Sequence, residues 1–215
     1  WWLAIIAFVI VIVALRPLVP AGTLTVRRGL PATVLLRGVI AATFFATEVY
    51  LPYMLNEKYG LPTWAAGLIL TIGAIAWAGG SELQSRIGDR MMHEAVARIG
   101  AVSLLIGIAG QFLTALWGLS FVVAAVAWAF AGAGMGLLFP RISTLVLGYS
   151  TERDQGFNSA AMSITDATGG ATAIAFAGLL FAAFGSADGN GFAAALALTG
   201  LRAVAAVPVA LRLRR

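Results

Sequence analysis

The chain has 215 residues and a formal net charge of +5, with 60% of its residues hydrophobic and 11% charged. A soluble globular domain carries about twice that share of charge, so a fold wrapped on all sides by water is excluded. There is no cysteine, which removes disulfides and thiol chemistry.

Seven apolar stretches follow one another, over residues 1–15, 33–55, 63–83, 95–115, 119–144, 157–184 and 191–211. Each carries few or no charges over a length near the ~20 residues that a bilayer demands. Inside lipid such a run must be helical, because its backbone groups find no water. An all-α integral membrane protein is expected.

The first stretch opens on Trp1 and Trp2 with no initiator methionine and no basic region ahead of it, so it is not a signal peptide. Paired tryptophans suit the aromatic belt of a membrane interface, and the chain is expected to begin partway through a longer protein. Residues 16–32 hold Pro17, Pro20, Gly22 and Pro31, as a linker does. A domain boundary is expected there. The connections over 56–62, 116–118 and 185–190 are tight and force antiparallel neighbours; those over 84–94 and 145–156 are longer. The six stretches after the linker divide into two groups of three, 33–115 and 119–211, which begin on opposite sides of the membrane. That is the pattern of an inverted repeat in secondary transporters.

If the chain crosses at every stretch, Arg16, Arg27, Arg28, Arg86, Arg90, Arg98, Arg141, Arg153, Arg212, Arg214 and Arg215 fall on one side. The other side holds Lys58 beside Glu57, and Asp188. The positive-inside rule then puts the arginine-rich loops and the C-terminus in the cytoplasm of a cell with its inner membrane as host. These arginines are scattered over loops with no interleaved aromatics, so they signal topology and no nucleic-acid partner is expected.

Gly132 and Gly136 share a helix face in the small-x-x-x-small pattern that lets backbones approach in lipid. Gly169 and Gly170 offer a bend in the sixth stretch, and Pro140 a kink or an end to the fifth. Generic membrane-helix glycine is the alternative at each of these positions.

A charge within a membrane helix costs about 2.5–3.5 kcal/mol on insertion scales and persists mainly when paired or facing water. Arg37, Glu48, Asp166 and Arg202 are such charges. At ~1.5 Å per residue, Arg37 lies about 10 Å in from Leu30 and Asp166 about 13 Å in from Phe157. They share a depth. Two readings stand for Arg37, a pair with Asp166 and a side chain snorkelling to cytoplasmic water. Glu48 returns to the face of Arg37 about 16 Å further out. It suits either a proton-exchanging carboxyl in a shared cavity or the outer interface marked by Tyr50 and Tyr53. Arg202 has no evident use in its stretch.

His93 is the sole histidine, so neither a metal site nor a Ser/His/Asp set can be completed around a second one. The segment 132–136 lacks the lysine of a phosphate-binding loop. No enzyme, cofactor or metal is expected.

At the end of the third stretch the chain reads Gly80-Ser81-Glu82-Leu83-Gln84-Ser85-Arg86-Ile87-Gly88-Asp89-Arg90. This resembles the G-x-L-x-D-R-x-G-x-R loop of the major facilitator superfamily, with Gly80, Leu83, Arg86, Gly88 and Arg90 matching and Ser85 in place of the usual Asp. An ordinary basic loop is the alternative. The segments 44–52, 59–67 and 155–160, with Asp166 following, look like the seventh helix, the next outer loop and the start of the eleventh helix in bacterial, actinobacterial-like members.

The resemblance implies a six-helix half bundle of two inverted three-helix repeats, over 33–215, and the linker 16–32. Residues 1–15 would be a helix of the preceding half, which is missing from this chain. It implies a secondary active transporter working by alternating access, with a cavity lined by Arg37, Thr43, Thr47, Glu48, Trp128 and Phe130. That apolar, aromatic lining suits amphipathic or drug-like compounds, and proton-coupled efflux through Glu48 or Asp166 is the function expected first. Sugar or metabolite export is the alternative within the class. A transport-inactive docking or scaffold subunit is the alternative outside it. The loop 80–90 is expected to gate the cytoplasmic side, more weakly for having Ser85, unless Glu82 or Asp89 compensates.

Overall fold

The computed structural model describes residues 2–185 and 190–213. Trp1, Asp188, Arg214 and Arg215 lie outside the described residues, as does the side chain of Asp89. Seven α-helices are found among the described residues: α1 Trp2–Leu15, α2 Leu30–Tyr59, α3 Thr63–Ile87, α4 His93–Trp117, α5 Phe121–Tyr149, α6 Gln155–Phe184 and α7 Asn190–Ala210. Helices α2 to α7 are each long and apolar enough to cross a membrane, whereas α1 has 14 residues. Several run past the apolar limits read from the sequence, because a membrane helix continues into the polar interface before it meets a stop.

The stops are local. Helix α2 ends at Gly60 with φ 63° and α4 at Gly118 with φ 64°, both left-handed, where a residue without Cβ caps a helix at no steric cost. Just before those caps the last turns of the two helices are tied together. The Tyr59 hydroxyl donates to the carbonyl of Thr114 at 3.2 Å, and the Lys58 ammonium donates to that of Ala115. A cation thus sits on the negative end of α4.

Helix α2 packs most extensively against α6 and α7, and α5 against α3 and α4, with α4 and α7 also meeting. The first helix of each group of three therefore lies against the second and third helices of the other group. This exchange is what an inverted repeat requires, and the six helices form one half bundle with α2 its most enclosed member. Glycines set the spacing. A Cβ on Gly132 would lie 2.2 Å from the carbonyl oxygen of Gly73, and one on Gly136 would lie 2.2 Å from that of Trp77, so this face of α5 rests directly on the backbone of α3. Gly134 points the other way, where a Cβ would lie 2.6 Å from the Gly100 carbonyl of α4.

Pro140 does not end α5, which continues for nine residues to Tyr149. The missing proline N–H leaves the Gly136 carbonyl without its helical donor. The Ser81 hydroxyl of α3 donates to it instead, at 3.3 Å. Likewise α6 runs unbroken through Gly169 and Gly170. Gly169 makes a close contact, since a Cβ there would come 2.6 Å from the carbonyl oxygen of Gly38 on α2.

The arginine-rich end is laced by the linker. Val19 and Thr23 are buried, the Gly29 N–H donates to the Arg212 carbonyl at 3.0 Å, and the Arg212 guanidinium donates to Val26. Helix α1 is exposed along most of its length and touches α6 through an edge contact of Phe8 on Phe176, with ring centroids 5.4 Å apart.

Candidate functional site

The close crossing at Gly38 and Gly169 brings together the charged neighbours of both glycines. Arg37 Nε donates to both carboxylate oxygens of Asp166 at 2.9 Å. The pair expected from equal depth is present. The guanidinium makes two further bonds to α5, donating through Nη1 at 3.1 Å to the carbonyl of Phe139 and to the hydroxyl of Ser143. Its Cζ also stands 3.4 Å from the centroid of the Phe139 ring, a cation–π arrangement. Three helices are thus joined at one charge. With side-chain exposures of 13% and 22%, Arg37 and Asp166 are enclosed but still reachable. Asp166 opens onto a shallow surface cavity with Phe45, Ser163 and Gly170.

From Phe139 an aromatic seam runs inward. Phe139 meets Trp77 at 5.1 Å, Trp77 meets Phe44 at 5.2 Å, and Phe44 stacks on Trp128 at 4.6 Å with the planes 19° apart. These rings come from α5, α3 and α2, so α2, α3, α5 and α6 all contribute to one continuous polar and aromatic strip. Phe139, Ser143, Trp77 and Phe44 belong to it and escaped the sequence reading. Only the tertiary fold relates their positions.

The other expected residues divide. Trp128 is buried in the seam. Thr43 and Thr47 are fully buried and donate their hydroxyls to Val39 and Thr43 one turn earlier, which consumes their donors within α2. Glu48 is partly buried and makes no hydrogen bond among the described residues. Phe130 is 46% exposed on the flank beside α4, with Arg98, Ile99 and Ser103 for neighbours. It lies two residues past Trp128, about 200° round the helix, and the fold therefore separates the two.

In the loop 80–90, Gly80 is packed so tightly that a Cβ would lie 2.5 Å from the Ala133 carbonyl. Leu83, Ser85, Arg86 and Arg90 are exposed. Arg86 pairs with Glu82 at 2.7 Å across one helical turn. Gly88, at φ 49°, ends α3. Its carbonyl accepts from Arg141 Nη2 at 2.7 Å, while Arg141 Nη1 lies 2.8 Å from His93 Nδ1. Arg141, buried in α5, thereby pins the whole α3–α4 connection. Replacing it by Met is expected to speed amide exchange over residues 87–93 by roughly tenfold or more, as loss of a charged hydrogen bond worth about 1.5–3 kcal/mol would. Exchange mass spectrometry should find this change confined to the connection; unchanged protection there would show that other contacts hold it.

Among the described residues no three His, Asp or Glu side chains are grouped to hold a metal ion. In comparison with known proteins, a family model described as Major Facilitator Superfamily matches residues 1–174. No curated protein matches the chain.

Proposed function

Because the chain belongs to the major facilitator superfamily of membrane transporters, we propose that it is the C-terminal half of a proton-coupled exporter of small amphipathic compounds. The observation that carries this reading is the Arg37–Asp166 pair, set at the end of an aromatic strip and opening on a surface cavity. Rings offer a face to flat apolar substrates. The enclosed ion pair offers a charge that a proton can switch: when Asp166 takes up a proton, its hold on Arg37 weakens, and the guanidinium is left to its α5 partners Phe139 and Ser143. A change at α6 is thereby passed to α5.

On this reading residues 1–15 belong with a preceding half, 16–32 form the cytoplasmic linker and 33–215 form the half bundle. The two halves rock about the central cavity in the inner membrane, with the C-terminus cytoplasmic. Arg37 stands on the substrate path with Trp128 buried behind it in the aromatic strip, Glu48 adds an outer carboxyl on the face of Arg37, and the loop 80–90 gates the cytoplasmic side.

The test uses the intact protein in proteoliposomes with an imposed proton gradient and a lipophilic cationic dye. Asp166→Asn is expected to abolish uphill dye movement while leaving downhill exchange. Glu48→Gln is expected to shift the pH dependence of the uphill rate. If both variants pump as the parent does at every pH, proton coupling through these groups is wrong.

A further inference from the structure

Between α1, the linker, α2, α6 and α7 lies a cavity of about 240 Å³. None of Arg37, Asp166 or Phe139 lines it. Its walls are mostly hydrocarbon, including Phe8 and Ile12 of α1, Leu24 of the linker and Val39 of α2, yet Arg202 of α7 also lines it. Arg202 makes no hydrogen bond or ion pair among the described residues, and its Nη1 is enclosed without a partner. The threonines on the α6 wall do not supply a charge. Thr165, Thr168 and Thr172 donate their hydroxyls to carbonyls of α6 itself, at 2.9, 2.6 and 2.5 Å, leaving only neutral oxygen lone pairs toward the cavity.

A guanidinium keeps its proton at every physiological pH, and one enclosed by hydrocarbon calls for an anion with acceptor oxygens. The walls around it call for a hydrocarbon chain. Both demands are met by one amphiphile. Its source follows from position: Arg202 lies eight residues, or about 12 Å, from the end of α7 at Ala210. Val19, Thr23 and Leu24 of the linker line the same cavity, so it extends from Arg202 toward the arginine-rich end of the bundle. A long basic side chain can meet a headgroup from a position within its helix. We propose that this cavity is a binding site for one anionic phospholipid, its phosphate on Arg202 and an acyl chain along α1, α2 and α6.

The test is native mass spectrometry of the intact protein in mild detergent, titrated separately with phosphatidylglycerol, phosphatidylcholine and oleate. The parent is expected to retain one phosphatidylglycerol at least fivefold more than one phosphatidylcholine, and to retain oleate weakly. Arg202→Gln should bring phosphatidylglycerol down to the level of phosphatidylcholine, and Arg202→Lys should keep most of the preference. Val11→Trp, which fills the α1 wall without touching the charge, should reduce retention as Arg202→Gln does. Size-exclusion profiles identify variants that remain folded. The site is wrong if a folded Arg202→Gln variant keeps the parental preference, or if phosphatidylcholine is retained equally. Stronger retention of oleate than of phosphatidylglycerol would also overturn the assignment, since the ligand would then be a free fatty acid and no membrane phospholipid.

Discussion

Arg37→Met should lower the stability of the protein by roughly 3 kcal/mol or more, the cost of leaving one member of an enclosed ion pair without the other. The substitution strands the Asp166 carboxylate in α6 and leaves the Ser143 hydroxyl and the Phe139 carbonyl without the guanidinium they accept from. The double variant Arg37→Met with Asp166→Leu removes both charges, and a pair of apolar residues is often as stable as the pair it replaces. It should therefore recover most of the loss in a denaturant or thermal unfolding experiment in detergent. Equal stability of the parent and the single variant would show that water, rather than Asp166, compensates Arg37.

The second large effect is expected at the contact of α5 with α3. In Gly136→Val the new side chain has nowhere to go, because the nearest atom to even a Cβ is the carbonyl oxygen of Trp77 at 2.2 Å, and backbone cannot swing aside as a side chain can. Overpacking costs typically about 1–3 kcal/mol. Here the helices must separate, which breaks the Ser81 bond to the Gly136 carbonyl and unseats Trp77 from the aromatic seam. A loss at or above the top of that range is expected, seen as a lower melting temperature and a loss of the monodisperse peak. Gly79→Ala is the control, since a Cβ there meets nothing within 4 Å, and alanine is favoured over glycine in a helix by up to about 1 kcal/mol. Equal behaviour of the two variants would refute the close approach.

The contrast between these positions shows where sequence reading succeeds. Bilayer length and charge avoidance made every helix legible, because lipid leaves the backbone one solution. Gly132 and Gly136 were legible as a contact face because their spacing matches one helical turn. Arg37 and Asp166 were legible as one of two readings, because the two depths agree and the family resemblance packs their helices together, with a snorkelling Arg37 as the other reading. What escaped was identity across helices. Nothing in the apolar run around Phe44 distinguishes the ring that stacks on Trp128 from Phe45 beside it, which faces the cavity with Asp166. Phe130 looked equivalent to Trp128 by composition, and only the orientation of α5 relative to α3 and α4 separates them. Pro140 was read by its local effect alone, while a hydroxyl on another helix supplies the bond it withholds. Arg202 had no meaning until the linker and α1 were placed around it.

The exchanged packing of the two helix triplets has a consequence for synthesis. Helix α2 leaves the ribosome before its main neighbours α6 and α7. Arg37 must wait for an aspartate encoded 129 positions later. At roughly 5–20 residues per second that interval is on the order of ten seconds. Throughout it α2 carries an uncompensated positive charge at a depth where one is disfavoured, so it should linger at the insertion machinery, or sit shallowly, until α6 arrives to close the pair. The ion pair that ties three helices together in the finished protein thus also determines when the nascent bundle can first become compact.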